Sequence, residues 1–243
     1  MRKISRSAVE QHLKCQKCFY LNYNHKIRPH TLPFTLNSAV DNLCKNEFDH
    51  YRAKAEPHPM FLEHGIDAVP FAHEKMDEWR NNFKGIRYLN EEAGYNFGGA
   101  VDDIWEKPNG DLIVIDVKST SKNVFDWEDT YSKWEYAKGY RRQLEMYQWL
   151  LEKNGFTVAS EGYLVYYNGK KHEPMFNQQL TFDLHLVRLE CDNSWVEEAV
   201  LNAKATLDGD MPKSSQSCEN CNYLKERWKL SQKDPNNLLD SES

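Results

Sequence analysis

The stretch GGAVDDIWEKPNGDLIVIDVK, residues 98–118, decides the fold prediction for this chain. Residues 112–118 are apolar on both alternating faces and rich in β-branched side chains, which is typical of a strand inside a sheet. The Asn109-Gly110 pair before them favours the positive φ angles of a tight hairpin turn. We therefore expect residues 95–105 to be the partner strand and the hairpin to form the centre of a mixed sheet.

Charged residues interrupt this apolar hairpin at one end. Asp116 and Lys118 are two residues apart, so a strand points both to one face, and pairing through the turn brings Asp102 close to Asp116. Asp103 then points to the opposite face. Buried charges are costly unless they are paired or bound to metal, and carboxylate oxygens suit Mg²⁺ or Mn²⁺. The alternative to a metal site is that this Asp and Lys are ordinary solvated residues near a strand end.

The rest of the chain predicts helices around this hairpin. Helices are expected over residues 7–15, 36–55, 72–84, 130–153 and 194–207, and further strands over 161–167 and 180–191. The inner positions are Leu36, Val40, Leu43, Phe48 and Tyr51 in the second helix, Met76, Trp79 and Phe83 in the third, and Tyr140, Leu144, Tyr147 and Leu151 in the fourth. The predicted fold class is α/β, a mixed central sheet flanked by helices.

Bulk properties exclude several classes of protein. The chain has 243 residues, a net charge of -6 and 40% apolar residues. No stretch approaches the roughly 20 apolar residues of a membrane span. The basic N-terminus lacks the apolar run of a signal peptide, so a cytoplasmic location without membrane association is the expectation. The negative charge argues against a protein that coats nucleic acid by charge alone, but not against a metal-dependent nuclease.

Several short motifs occur in a recognisable order. Gly99-x-x-Asp102, then Asp116-Val-Lys118, then Gln143-x-x-x-Tyr147 resembles the PD-(D/E)XK nuclease superfamily, and most of all its RecB-like branch. That branch includes the CRISPR-adaptation exonucleases and the AddB-type helicase-nucleases. The resemblance implies a restriction-endonuclease-like core that hydrolyses DNA with Mg²⁺ or Mn²⁺.

The resemblance also implies roles for individual residues. Asp102, Asp116 and the backbone carbonyl of Val117 would hold the metal ion. Lys118 would orient the attacking water or stabilise charge on the phosphate. Gln143 and Tyr147, four apart and thus on one helical face, would face the site and help to place the DNA backbone.

The chain departs from the family pattern on the first core helix. Many RecB-like enzymes carry a His there as a further metal ligand, whereas the comparable stretch here ends in Asp41. A carboxylate is also a competent Mg²⁺ ligand, so Asp41 is the first candidate for this position. Glu47 is the second, and His50 is a rival farther along the helix.

Four of the six cysteines form two CxxC pairs, at opposite ends of the chain. In a cytosolic protein such pairs indicate metal or cluster ligation before disulfides, and four thiolates fit tetrahedral Zn²⁺ or a [4Fe–4S] cluster. The resemblance to cluster-bearing RecB-like nucleases favours [4Fe–4S], with Zn²⁺ as the alternative, although those enzymes split their cysteines one and three. Cys44 and Cys191 are expected in the core. The four predicted ligands are Cys15, Cys18, Cys218 and Cys221.

The sequence thus predicts one nuclease domain over residues 1–230, its ends joined by the four cysteines, and a disordered tail over 231–243. The expected activity is metal-dependent hydrolysis of DNA by an exonuclease of repair, recombination or processing. Its partners would be single-stranded DNA or duplex ends, and proteins of a repair or recombination complex. One alternative is a catalytically inactive nucleic-acid-binding module. Another is a zinc- or cluster-dependent scaffold with incidental hairpin charges.

Overall fold

The computed structural model describes residues 1–31 and 35–232, which form helices and strands in mixed order. In chain order the elements are β1 (Arg2–Ser5), α1 (Arg6–Lys14), α2 (Gln16–His25), α3 (Thr35–Arg52), α4 (Pro59–Glu63), β2 (Val69–Pro70), α5 (Met76–Arg80), β3 (Ile86–Asn90), β4 (Tyr95–Gly99), β5 (Asp103–Glu106), β6 (Leu112–Thr120), α6 (Trp127–Lys133), α7 (Glu135–Lys153), β7 (Val158–Gly169), β8 (Phe182–Glu190), α8 (Val196–Asp208) and α9 (Glu219–Ser231).

The strands form two sheets. The larger sheet has the order β2-β5-β6-β7-β8, and the smaller has the order β1-β4-β3. In the larger sheet β6 and β7 run parallel while the other pairs are antiparallel. This mixed α/β architecture with flanking helices confirms the predicted fold class.

Strand β6 lies at the centre of the larger sheet and is covered on both faces. On one face Ile113, Ile115 and Val117 pack in a core with Phe48 of α3 and Trp105 of β5. The opposite face of the sheet packs against α7. Burial on both sides explains why this strand lacks the polar alternation of a strand with one solvated face.

The hairpin itself differs from the prediction at both ends. Strands β5 and β6 pair antiparallel, but the predicted strand over residues 95–105 is wrong, because it is divided between two sheets. Residues 100–102 lie between β4 and β5 and have no strand conformation. Gly110 has a positive φ of 86°, whereas Asn109 is not among the positive-φ residues of the described chain. A single left-handed residue, rather than the Asn109-Gly110 pair, therefore closes the turn.

Two of the predicted helices also need correction. Helix α3 buries Cys44 and Phe48 but leaves Leu36 and Leu43 exposed, so its inner face is rotated from the predicted one. The helix expected over residues 72–84 is only the short α5. Phe83, predicted on its inner side, is 89% exposed. The side chain of Asn81 accepts hydrogen bonds from the backbone N–H groups of residues 83 and 84, a local turn that competes with the helix.

The second half of the chain follows the predicted order with two changes. The helix expected over 130–153 is broken at Trp134, whose extended backbone separates α6 from α7. The loop expected to carry the second cysteine pair instead leads into α9, with Cys218 at its N-terminal cap. The polar sequence of α9, which buries no residue, gave no apolar stripe from which to predict it.

Contacts divide the chain into two compact units. The first comprises Met1–Arg6 and Pro33–Glu197, and contains both sheets; the second comprises Ser7–Leu32 and Glu198–Ser243. One nuclease domain over residues 1–230 stays a prediction. Of the predicted tail, Ser231 ends α9, while residues 233–243 lie outside the described residues. In the described ranges, each helix is too short or too polar to cross a bilayer.

Candidate active site

The candidate active site lies where β6 extends beyond the end of its pairing with β5. The last pair of the β5–β6 ladder joins Asp103 to Ile115, yet β6 continues to Thr120. The edge of β6 beyond this point is therefore open toward β5. Asp102 lies immediately before β5, opposite Asp116, and its Oδ2 accepts a hydrogen bond of 2.8 Å from the Val117 N–H. We call Asp102 together with residues 116–118 the active-site edge.

Asp116 and Lys118 form an ion pair on the α7 side of this edge. Asp116 is fully buried, and the side chain of Lys118 is 18% exposed. Gln143 of α7 donates a hydrogen bond of 2.6 Å to Asp116 Oδ1. The Lys118 ammonium also lies 3.4 Å from the carbonyl oxygen of Val117. The structure thus brings the two aspartates, the lysine and this carbonyl together as one group.

The two carboxylates differ in their electrostatic environment. Burial raises the pKa of Asp116 to about 7; neighbouring Asp102 raises it too, while Lys118 opposes the shift. Burial also acts to raise the pKa of Asp102, but the ammonium groups of Lys118 and Lys45 and the Val117 N–H outweigh it and lower that pKa. The pKa of Lys118 is raised because the two aspartates outweigh its own burial, so Lys118 is a hydrogen-bond donor, not a base, at neutral pH.

Helix α3 contributes a carboxyl group and an ammonium group beside Asp102 of the active-site edge. Lys45 Nζ lies 2.8 Å from Asp41 Oδ2 and 3.6 Å from Asp102 Oδ1. The pKa of Asp41 is raised by burial and by the charge of Asp102. Sequence reasoning missed Lys45; its spacing of four residues from Asp41 on one helix was the available signal.

The other two candidates on α3 lie away from the active-site edge. Glu47 pairs with His58 at 3.2 Å, and its side chain is 53% exposed. His50 contacts Lys54 at 2.8 Å. Six residues separate Asp41 from Glu47, which turns Glu47 to another side of the helix. Of the three candidates, the structure places Asp41 alone beside Asp102.

Gln143 and Tyr147 face the site from α7 and are both buried. The Tyr147 hydroxyl lies 3.5 Å from Gln143 Nε2. Gly99 makes room for this tyrosine, because a Cβ at residue 99 would lie 2.9 Å from Tyr147 Cε1 and 3.0 Å from Arg6 Cβ. The glycine of the Gly99-x-x-Asp102 motif therefore serves a close approach of side chains. Contact of Gln143 and Tyr147 with DNA stays a prediction.

The donor set fits a hard divalent cation. Asp102 and Asp116 supply carboxylate oxygens, and Val117 supplies a backbone carbonyl at the open edge. Asp41 Oδ1 is buried and has no hydrogen-bond partner among the described residues. Oxygen ligands of this kind suit Mg²⁺ or Mn²⁺.

Asp103, which follows Asp102 in the sequence, binds arginines and lies away from the active-site edge. Asp103 is fully buried and forms ion pairs with Arg52 of α3 and Arg80 of α5. Asp49 binds the same two arginines. This network ties two helices to the start of β5. The two adjacent aspartates thus have separate environments: Asp102 lies at the active-site edge, and Asp103 lies in the arginine network.

The second unit brings four cysteines together, Cys15, Cys18, Cys218 and Cys221, which we call the cysteine cluster. Their sulfur atoms all lie within 4.8 Å of one another. Cys18 Sγ lies 3.5 Å from Cys218 Sγ and 3.4 Å from Cys221 Sγ, and Cys15 Sγ lies 3.8 Å from Cys221 Sγ. The four thiols converge on one point, so they form a candidate metal centre.

The thiols differ in acidity within this cluster. The pKa of Cys15 is lowered to about 7: burial acts to raise it, but the backbone N–H groups of Cys18 and Ser215 and the neighbouring thiols outweigh burial. Cys15 therefore becomes a thiolate near neutral pH more readily than an ordinary cysteine. Of the two remaining cysteines, Cys44 is buried in the core and Cys191 is partly exposed at the end of β8.

Comparison with known proteins gives a family match and distant structural likenesses. The family model described as the PD-(D/E)XK nuclease superfamily matches residues 34–225, more than half of the chain. No curated protein matches. An alkaline exonuclease (LHK-Exo) from Laribacter hongkongensis is 15% identical, with 94% of each chain covered and a TM-score of 0.40. A phage-related exonuclease from Haemophilus somnus 129PT is 12% identical, with 84% of this chain and 79% of that chain covered and a TM-score of 0.40.

Proposed function

Because this chain belongs to the PD-(D/E)XK nuclease superfamily, we propose that it is an active exonuclease that hydrolyses DNA phosphodiester bonds with Mg²⁺ or Mn²⁺. PD-(D/E)XK nucleases use divalent metals. The observation that carries the proposal is the active-site edge, where two carboxylates, a carbonyl and a protonated lysine converge at the open end of β6. The biological setting we propose is DNA repair, recombination or processing, with DNA ends as substrate and other proteins of such a complex as partners.

Each group of the active-site edge has a proposed task. Asp102, Asp116 and the Val117 carbonyl would hold the ion, with Asp41 Oδ1 as a further ligand. A bound divalent cation supplies Lewis acidity to the phosphoryl oxygen and acidifies a water molecule. Lys118 holds its proton and donates a hydrogen bond to the attacking water or to a phosphoryl oxygen that gains charge.

Two further side chains act through these ligands. Gln143 holds Asp116 by its hydrogen bond of 2.6 Å, which fixes the direction of the second carboxylate oxygen. Lys45 holds Asp41 Oδ2 and leaves the other oxygen of that carboxylate for the ion. We propose both as positioning residues.

For the cysteine cluster we propose one structural Zn²⁺, the alternative to [4Fe–4S]. A zinc ion with four thiolates at about 2.3 Å in a tetrahedron separates the sulfurs by about 3.8 Å. Three sulfur pairs are separated by 3.4, 3.5 and 3.8 Å, and all four sulfurs lie within 4.8 Å of one another, which supports such a site. In a [4Fe–4S] cluster each thiolate binds its own iron, so the sulfurs lie farther apart. Metal analysis of purified protein tests this: one zinc per chain is expected, and four irons with broad visible absorption would contradict it.

The nuclease proposal is tested by incubating labelled linear and circular DNA, single- and double-stranded, with the protein and Mg²⁺ or Mn²⁺. We expect linear DNA to be shortened from its ends and circular DNA to resist. Lys118→Ala should slow cleavage about a hundredfold or more, because a donor to developing charge is lost. The matched control, Lys84→Ala at an exposed lysine, should cleave at the wild-type rate. Intact DNA with both metals would favour a catalytically inactive binding module.

A further inference from the structure

Aromatic residues are concentrated between the catalytic strand and α7. Residues 125–140 contain six aromatic residues among sixteen, whereas aromatic residues make up 13% of the chain. The segment follows the end of β6, includes α6 and enters the first turns of α7. Neither the family motifs nor the proposed catalytic roles use these rings. Their positions are Phe125, Trp127, Tyr131, Trp134, Tyr136 and Tyr140.

Three of these rings form a continuous row that begins at the catalytic lysine. The Lys118 ammonium lies 4.7 Å from the centroid of the Tyr140 ring. The Tyr140 centroid is 5.7 Å from that of Tyr136, which is 6.2 Å from that of Trp134. We call Trp134, Tyr136 and Tyr140 the aromatic track.

The outer rings of the track are exposed to solvent. Trp134 is 55% exposed and Tyr136 is 40% exposed. Trp134 has an extended backbone at the break between α6 and α7, so the row does not follow one continuous helix. Exposed rings in a contiguous row are typical of binding surfaces, since most large aromatic side chains are largely buried.

The chemistry at the inner end of the track identifies its occupant. Lys118 is the group that we assign to the phosphate under attack, so a strand whose phosphate binds there comes within reach of the Tyr140 ring. Aromatic rings stack on the faces of nucleobases, and they do so with little preference for sequence. The bases of a duplex already stack on one another, whereas unpaired bases have free faces.

We propose that the aromatic track stacks the unpaired bases of a single-stranded DNA end and feeds that strand to the active-site edge. This inference rests on the proposed nuclease function and narrows its substrate to single-stranded ends. The track provides affinity without reading sequence. Its contribution comes from stacking, so it should not alter the number of phosphates neutralised on binding.

The test compares Trp134→Ala/Tyr136→Ala with a matched control, Phe83→Ala, which removes an 89% exposed ring outside the track. The probes are a fluorescein-labelled oligothymidine and a blunt duplex of equal length, with Ca²⁺ in place of Mg²⁺ to prevent cleavage. Fluorescence anisotropy gives the affinity at several salt concentrations. The double variant should bind the single strand more weakly, by about fivefold to a hundredfold for each base that no longer stacks. The slope of log affinity against log salt concentration should stay unchanged.

Three results support this proposal jointly: duplex affinity equals that of wild type, the Phe83→Ala control binds like wild type, and Trp134→Phe/Tyr136→Phe restores single-strand binding. Unchanged single-strand affinity in the Ala double variant would overturn it. An equal loss of affinity for the single strand and for the duplex would also overturn it, and would indicate a general surface such as a protein-docking face.

A small substrate separates this inference from the nuclease proposal. The p-nitrophenyl ester of thymidine 5′-monophosphate reaches the active-site edge without a second base to stack. Wild type and the Ala double variant should hydrolyse it equally with Mn²⁺. If wild type hydrolyses neither this ester nor DNA while the double variant still loses single-strand affinity, the nuclease proposal fails and the aromatic track stands as a binding site.

Discussion

The active-site edge and the cysteine cluster are both candidate metal centres, but the chain assembles them differently. Three of the proposed ligands of the first come from residues 102–117, with Asp41 of α3 as a fourth, and they are fixed by the register of β5 on β6 and by two lysines. The ligands of the second come from two segments about 200 residues apart in the sequence, and their sulfur atoms lie 3.4 to 3.8 Å from one another in three pairs.

This difference predicts what each metal contributes. The fold itself compensates the carboxylates with Lys118 and Lys45, so the site is preformed and the ion completes the chemistry. The four thiols lie against one another, and thiolates gathered this closely repel one another. For the cysteine cluster the metal should therefore contribute folding free energy directly.

Asp116→Asn should give the largest effect on activity. Loss of a ligand carboxylate should lower the DNA cleavage rate by about a thousandfold or more, because metal stabilisation of the transition state is worth several kcal/mol. The melting temperature should change little, since Asn keeps the shape and removes a costly buried charge. The rate is measured on labelled linear DNA with Mn²⁺, and exposed Asp77→Asn is the control. Cleavage at the control's rate would remove Asp116 from the mechanism.

Cys218→Ser should give the opposite result, a loss of stability. Structural zinc binding in small domains is worth about 10 kcal/mol or more, so removing one ligand should leave little zinc and lower the free energy of unfolding. Zinc content and thermal unfolding are the measurements. Cys191→Ser serves as the control, because Cys191 lies outside the cysteine cluster, and it should keep one zinc per chain. Unchanged zinc in Cys218→Ser would contradict the assignment.

Gln143→Leu should have an intermediate effect at the active-site edge. The change keeps the size of the side chain but removes its hydrogen bond to Asp116. Loss of such an orienting partner usually costs about tenfold to a hundredfold in metal affinity or activity. The Mn²⁺ affinity, obtained by titration, and the cleavage rate should both decline. Gln143→Glu is not an equivalent test, because it adds a charge. A variant with wild-type Mn²⁺ affinity and rate would show that Gln143 does not position Asp116.

The pH dependence of metal binding should give the smallest effect. In the metal-free protein the pKa of Asp116 is raised to about 7, so below that pH the carboxyl must release a proton before it binds metal. The apparent Mn²⁺ affinity should therefore fall as pH decreases through 7, by at most about tenfold per pH unit. The pKa of Asp102 is lowered, so Asp102 adds no such step near neutrality. A pH-independent affinity between about pH 5.5 and 8.5 would contradict this.

The sequence predicted the part of the fold whose geometry is local. A turn at Gly110 sets the register, and that register places Asp102 opposite Asp116. The α/β class followed from an apolar β6 among helices. Both depend on patterns within about twenty residues, where strand and turn geometry leave few alternatives.

Other features depend on contacts that no local pattern encodes. Helix α3 has two apolar sides, and packing against Trp105 rather than periodicity selects Phe48 over Leu43. The end of β4 lies at the close approach of Gly99 to Tyr147, a contact between residues distant in sequence. The position of Lys45 beside Asp102 likewise depends on how α3 crosses the sheet.

Crystals grown with Mn²⁺ would locate both metals, through anomalous difference density measured above and below the zinc absorption edge. We expect a manganese peak between Asp102 and Asp116 within bonding distance of the Val117 carbonyl, and a zinc peak at the four sulfurs. Manganese bound elsewhere, or none at the active-site edge with Mn²⁺ in excess, would contradict this expectation.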